Sequence, residues 1–169
     1  MLNELQAKLH KESTDAGWWK PHAPRFSEVK AYEIALMHLK LSEYLDVIRK
    51  GGNPDGEDIL DDLRQIMLTE PSAYKELPEE QIILGTKLAL IHSEVSEAFD
   101  GLQTGAMDKH LPHRKEVEVE IADALIRVLD FAGKMGMDLE ATIREKQEYN
   151  KARADHKPEN RSKSNGKQF

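Results

Sequence analysis

Val117–Met135, VEVEIADALIRVLDFAGKM, carries apolar side chains on nearly every side: Val117, Val119, Ile121, Ala122, Leu125, Ile126, Val128, Leu129, Phe131 and Ala132. A helix of that kind belongs inside a helical assembly rather than on its surface. Yet Glu120, Asp123, Arg127, Asp130 and Lys134 follow one another at spacings of 3, 4, 3 and 4, which is a single stripe of charge. Unpaired ions on a buried helix cost on the order of several kcal/mol each. One account of the stripe is a ladder of i,i+4 pairs, Asp123–Arg127 and Asp130–Lys134. That ladder satisfies Asp130 and Lys134 but leaves Glu120 and Asp123 with more negative charge than Arg127 cancels.

The helix before it offers a matching pair of acids. In LALIHSEVSEAFDGL, Leu88, Ile91, Val95, Ala98 and Leu102 form the core stripe, and Glu94 and Glu97 border it. Packed antiparallel, the two helices bring Glu94, Glu97, Glu120 and Asp123 together. Four carboxylates at close range cannot all stay ionised alone, so some pKa values rise or a cation enters. Oxygen-only ligands select a hard divalent ion, Mg²⁺ or Mn²⁺, over zinc. A di-iron bundle needs Glu-x-x-His, and no Glu in the chain has His three residues later. Spacing alone is weak support, because 31 acidic residues also give pairs such as Glu12/Asp15, Glu76/Glu79 and Glu145/Glu148, which read as solvated faces.

Outward from these helices, the long segments keep helical period and none alternates as a strand does. Leu2 to about Asp15 is amphipathic, and Gly17–Arg25 is a loop in which Trp18 and Trp19 serve as a plug or as a lid. Ser27 is placed to cap a helix ending at Gly51-Gly52. A shorter helix spans Asp55 to about Thr69, and Pro78 begins one that reaches Gly101–Gly105. Pro112 is expected to open the helix that stops at Gly136, and Asp138 to cap a last one to about Ala154. The reading is an all-α chain with a bundle core: residues 1–81 an N-terminal helical region, 82–155 the acid-bearing helices, and 156–169 a basic, mobile tail, all in one compact domain.

Composition narrows the classes. The chain of 169 residues has no cysteine, which removes disulfides, thiolate metal sites and cysteine nucleophiles. It has no apolar run of membrane-spanning length and no signal-peptide pattern at Met1–Asp15, so a cytoplasmic protein without membrane contact is expected. Six Lys/Arg against two acids in 151–169 give the tail a net +4, which leaves about −11 on the rest of a chain whose formal charge is −7. An acidic body argues against nucleic-acid coating, whose footprint is basic.

Glu33–Gly51 and Lys87–Gly105 match at seven of nineteen positions at an offset of 54, including His38/His92, Ser42/Ser96, Glu43/Glu97 and Asp46/Asp100. Each is followed by a spaced acidic pair, Asp58/Asp61 and Glu120/Asp123. Two readings stand side by side: a duplication whose first copy is degenerate, with Lys40 where the second has Glu94, or the ordinary likeness of amphipathic helices. In the last helix Lys146, Asn150 and Arg153 fall at i, i+4 and i+7 and share a face. That face suits a phosphorylated ligand, or is a solvated surface near a helix C-terminus, where cations are favoured anyway.

In these motifs the chain resembles the MazG-like family of all-α nucleoside triphosphate pyrophosphohydrolases. The residues that carry the resemblance are Glu94-Val-Ser-Glu97, a gap of 22, Glu120-Ile-Ala-Asp123, and then Lys146, Asn150 and Arg153 in EKQEYNKAR. It covers about Leu84–Phe169, and residues 28–81 depart from the pattern as an insertion or a decayed second copy. The resemblance implies an antiparallel bundle of the MazG-like or dimeric-dUTPase-like type with extra N-terminal helices, assembled as a homodimer or homotetramer. It implies Mg²⁺-dependent hydrolysis of an NTP or dNTP to the monophosphate and pyrophosphate, with Mn²⁺ as an alternative ion. Glu94, Glu97, Glu120 and Asp123 would hold metal. Glu97, with Glu94 as its competitor, would stand nearest the attacking water, and Lys146, Asn150 and Arg153 would bind substrate. Trp18 and the Asp155–Arg161 segment would close over the nucleotide. The rival reading is a catalytically inactive helical protein that binds nucleotides or regulates a partner, its acids kept only for structure.

Overall fold

The computed structural model describes residues 1–19 and 25–154. They form α1 (Leu2–Asp15), α2 (Phe26–Arg49), α3 (Gly56–Leu68), a 3-10 turn (Pro71–Glu76), α4 (Glu79–Thr104), α5 (Glu116–Lys134) and α6 (Leu139–Ala152). The chain is all-α, as its periodicity required; among the described residues the β features amount to one isolated bridge, Met107 to Lys115. Among the described residues no helix is long and apolar enough to cross a membrane. The tail from Asp155 onward, with the closing role and the mobility expected of it, lies outside the described residues.

Local chemistry explains most helix limits. The Asp55 and Asp138 carboxylates accept N–H bonds from Glu57 and Ala141, capping α3 and α6. Gly105 (φ 66°) and Gly136 (φ 64°) take the left-handed conformation that releases the chain after α4 and α5. Two expected starts are corrected. Helix α2 begins one residue before Ser27, because the Arg25 N–H is met by the Glu28 carboxylate at 2.8 Å. Pro112 does not open α5. Asp108 folds the preceding loop on itself, its side chain accepting from His110 and Leu111 and its N–H donating to the Arg114 carbonyl at 3.0 Å, and the helix starts only at Glu116.

Gly101 of α4 faces Glu116 and Val117, while Glu94 meets Arg127, so α4 and α5 run antiparallel. Gly101 is where α4 allows that approach: a Cβ there would lie 2.8 Å from the Val117 nitrogen. Helices α2 and α4 instead run parallel: Thr86 donates to the Glu28 carbonyl, Gln81 bonds the Tyr32 hydroxyl, and further along the His38 and His92 rings stack at 4.3 Å. His38 and His92, one of the matched pairs in the internal similarity, thus face each other across this contact. Helix α1 lies antiparallel to α5, with Gln6 donating to the Met137 carbonyl and His10 bonded to Asp130.

Each helix packs chiefly on its neighbours in the order α3, α2, α4, α5, α1, α6, and among the described residues no packing of comparable extent closes that row into a ring. This differs from a fully antiparallel closed bundle, both in the parallel α2–α4 contact and in the open edge. Tyr32, Tyr74 and Ile82 form the main buried cluster, with Val29, Leu36 and Leu77 against it. Helix α5 is buried on only part of its circumference, at Ala124, Leu129 and Ala132. The expectation that it lies wholly inside is corrected for the single chain: Leu125 is 58% exposed, and the neighbouring face of α4 leaves Phe99 at 60% and Leu102 at 66%.

Candidate metal and nucleotide site

Three of the four expected acids come together. Glu94, Glu97 and Glu120 each offer a carboxylate oxygen, and the three oxygens lie within 4.8 Å of one another. The antiparallel α4–α5 contact places them: Glu94 and Glu97 are one turn apart on α4, and Glu120 comes from the first turns of α5. Glu94 is buried, Glu120 partly so, and Glu97 opens to solvent. Glu120 is pushed up to about 7, first by burial, then by a hydrogen bond shared with Glu94 and by the charges of Glu97, Glu94 and Asp123. The cluster therefore holds more negative charge than its surroundings neutralise, and a proton or a cation is its natural complement.

Asp123, the fourth acid, lies outside that set. It sits one turn further along α5, in the wall of a cavity of about 620 Å³ that also includes Arg127, Lys87, Trp18 and Trp19. Its charge nonetheless reaches Glu120.

The ladder of pairs along α5 does not form among the described residues. Arg127 reaches across to α4 and donates from Nε to the Glu94 carboxylate. Asp130 turns to α1, accepting from the Ser13 hydroxyl at 2.7 Å and the Trp19 indole N–H at 2.8 Å, with His10 Nδ1 at 2.9 Å. Lys134 lies over the Trp19 ring, 5.7 Å from its centroid. Helix α5 thus satisfies its charges sideways, on both neighbours. Trp19 is fastened in place, and Trp18 is 67% exposed at the cavity rim.

Lys146 and Asn150 lie on α6, with Arg153 at its C-cap. Lys146 and Arg153 flank the Tyr149 ring, at 4.7 and 5.7 Å from its centroid, while the Asn150 Oδ1 is shielded and has no hydrogen-bond partner among the described residues. Helix α6 is tied to α1, through Leu2 and Asn3 N–H groups on Glu140 and the Asn3 amide on Asp138, and the cavity wall includes none of these three residues.

Lys87 escaped the sequence reading. It stands seven residues before Glu94 on the same face of α4, within the apolar run ILGTKLAL, and a lysine inside such a run was the available signal. Its ammonium lies 4.8 Å from the Trp19 centroid and 5.7 Å from that of Trp18, and donates to the Trp18 carbonyl. In the first of the two matched segments, Lys40 occupies the position of Glu94 and bonds Glu43 at 3.2 Å and Asp62 of α3 at 3.3 Å. There an ammonium lies between carboxylates of two helices.

No protein-family model, curated protein or solved structure matches the chain.

Proposed function

We propose that the chain is a Mg²⁺-dependent hydrolase that cleaves a nucleoside or deoxynucleoside triphosphate to the monophosphate and pyrophosphate, in line with the resemblance of its motifs to the MazG-like enzymes. The observation that carries the reading is the convergence of Glu94, Glu97 and Glu120 from two antiparallel helices onto one point, with too little positive charge to balance them. An all-oxygen donor set of this kind fits Mg²⁺ or Mn²⁺. Glu94, Glu97 and Glu120 would hold the ion, with Asp123 one turn away as the fourth ligand or as a ligand to a second ion. Once bound, such an ion lowers the pKa of water and offsets charge on the departing pyrophosphate, so no protein nucleophile is required.

Glu97, the most open of the three acids, would orient the attacking water and take its proton. Arg127 would turn from Glu94 toward phosphate oxygens as the carboxylate engages the cation. Lys146 and Arg153 are proposed to steady phosphate oxygens, and Asn150 the phosphate or nucleoside. A second copy of the chain, in a homodimer or homotetramer, would cover the open face of Phe99, Leu102 and Leu125.

One observation favours the rival reading of an inactive nucleotide-binding or regulatory protein. The Arg127–Glu94 pair and the Glu94–Glu120 hydrogen bond already satisfy much of the cluster from within. A panel of NTPs and dNTPs with Mg²⁺ or Mn²⁺, scored for pyrophosphate against single phosphate, separates the two. Pyrophosphate and monophosphate in equal amounts, lost in Glu97→Gln, establish the hydrolase. A folded, metal-loaded protein that turns over no nucleotide leaves the binding protein.

A further inference from the structure

The cavity beside the acid cluster has features that metal binding does not explain. At about 620 Å³ it is of the size that holds a small organic ligand. Its far end is built from two adjacent indoles and a lysine. Trp19 offers no free stacking surface, since Lys87 and Lys134 lie near its ring and its N–H is taken by Asp130. Trp18 keeps more of its ring open: among the described residues Lys87 is the one cation near it, at 5.7 Å from the centroid, the Trp18 N–H takes no bond, and the side chain is largely exposed at the rim.

Lys87 is the polar group at that end. Burial lowers its pKa, with the Arg127 charge adding to the effect and Asp130 and Glu28 opposing it. Among the described residues no carboxylate forms an ion pair with it; one N–H goes to the Trp18 carbonyl, and its remaining donors are left for a ligand. A half-buried cation held against an aromatic face without an acidic partner is poised to donate to an acceptor on whatever enters.

The acid cluster lies just beyond the cavity, whose wall includes Asp123 and Arg127 but not Glu94, Glu97 or Glu120, and α4 links the two places. Lys87 and Glu94 lie on one helix face two turns apart, a rise of roughly 10 Å, and Arg127 stands between the acid cluster and the cavity. A ligand that reaches from the Trp18–Lys87 end past Arg127 to the acids has an anionic chain at one extremity and a flat ring at the other.

We propose that the Trp18–Lys87 end of this cavity is a binding site for a planar aromatic heterocycle, the base of the nucleotide whose phosphates reach the Glu94–Glu97–Glu120 cluster. The ring stacks on Trp18, and Lys87 donates to a ring nitrogen or carbonyl at its edge. This site rests on the nucleotide reading above and adds to it what the acids do not supply, a preference for nucleotides over inorganic polyphosphate.

Trp18 and Trp19 are the two tryptophans of the chain, so intrinsic fluorescence reads this cavity directly. The full-length protein in EDTA is titrated with the ribonucleosides, their triphosphates and inorganic tripolyphosphate. Saturable quenching by nucleosides and triphosphates, absent with tripolyphosphate, is the expected result. Trp18→Ala, at an exposed position that tolerates truncation, is expected to weaken nucleoside binding about tenfold or more, read from the remaining Trp19; Lys87→Met weakens it as well. Equal responses to nucleosides and tripolyphosphate, or unchanged affinities in both variants, overturn the proposal. The two readings fail separately. Nucleoside binding without turnover of any triphosphate removes the hydrolase and leaves this site. Turnover whose KM for nucleotide is the same in Trp18→Ala removes this site and leaves the hydrolase.

Discussion

Arg127 of α5 bonds to Glu94 of α4, across the helix contact, and not to Asp123 one turn away on its own helix. The guanidinium thus stands where it competes with a cation for the same carboxylate. Arg127→Gln should have opposite effects on the two states. Without metal the variant loses about 1–2 kcal/mol, because a buried carboxylate is left short of a partner; with saturating Mn²⁺ most of that loss disappears, and Mn²⁺ affinity rises. Urea unfolding with and without Mn²⁺ measures both, and a metal affinity that falls in the variant contradicts the competition.

The raised pKa of Glu120 gives a pH dependence of definite sign. The folded state keeps a proton up to about pH 7 that the unfolded chain releases near the ordinary carboxylate value of 4.5. Stability without metal therefore declines as pH rises from about 4.5 to about 7 and is level above that. Glu120→Gln removes the slope. Proton and cation compete for the site, so Mn²⁺ affinity should drop about tenfold for each pH unit below about 7. Thermal melts of both proteins across pH 5–8, with and without Mn²⁺, check the sign.

Asp130 is the clasp between the ends of the chain. Its carboxylate receives Ser13, Trp19 and His10 at 2.7–2.9 Å, and Asp130→Ala strands these groups together. A loss of about 2–3 kcal/mol is expected. Hydrogen exchange should quicken in α1 before it does in α2 or α4, and Trp19 emission should shift to the red. Uniform loss of protection across all helices would show that α1 is not a separable unit.

The apolar face of α4 and α5 predicts an assembly. Phe99 and Leu102 are each at least 60% exposed on one helix, with Leu125 at 58% on the next. The wild-type chain should sediment as a dimer or tetramer. Phe99→Glu should weaken association roughly 30-fold or more, the worth of a 2 kcal/mol hot spot. A wild-type monomer at high concentration contradicts this.

What the sequence made legible is local. Helix limits follow from caps and glycines within a few residues, so α1 ends at Asp15 and α3 and α6 begin just after Asp55 and Asp138. Three members of the acid cluster were legible because an antiparallel hairpin brings the pair Glu94 and Glu97 against the start of α5 over a short connection; that Asp123 falls outside it was not. The partners of Arg127 and Asp130 were not. Periodicity says which residues share a stripe, but the rotation of α5 between α4 and α1 decides whether a charge bonds along its helix or across to another. The Trp19–Asp130 bond joins residues 111 positions apart, and no spacing rule reaches that far. The loop before α5 was misread for a related reason: Pro112 suits a first helical turn, but the Asp108 side chain captured the His110 and Leu111 N–H groups first.

The docking of α1 also sets the order of events during synthesis against the order of assembly. His10 leaves the ribosome 120 residues ahead of Asp130, its partner on α5. At translation rates of about 5–20 residues per second, α1 waits roughly 6–24 s, with Leu5, Leu9 and both tryptophans uncovered. Helices α2 to α4 can pair in the meantime, since their contacts lie within the stretch already made. The wall of the cavity that is synthesised first therefore waits for the wall made later, and a nascent chain that stalls before α5 leaves both α1 and the face of α4 that α5 covers open to the cell.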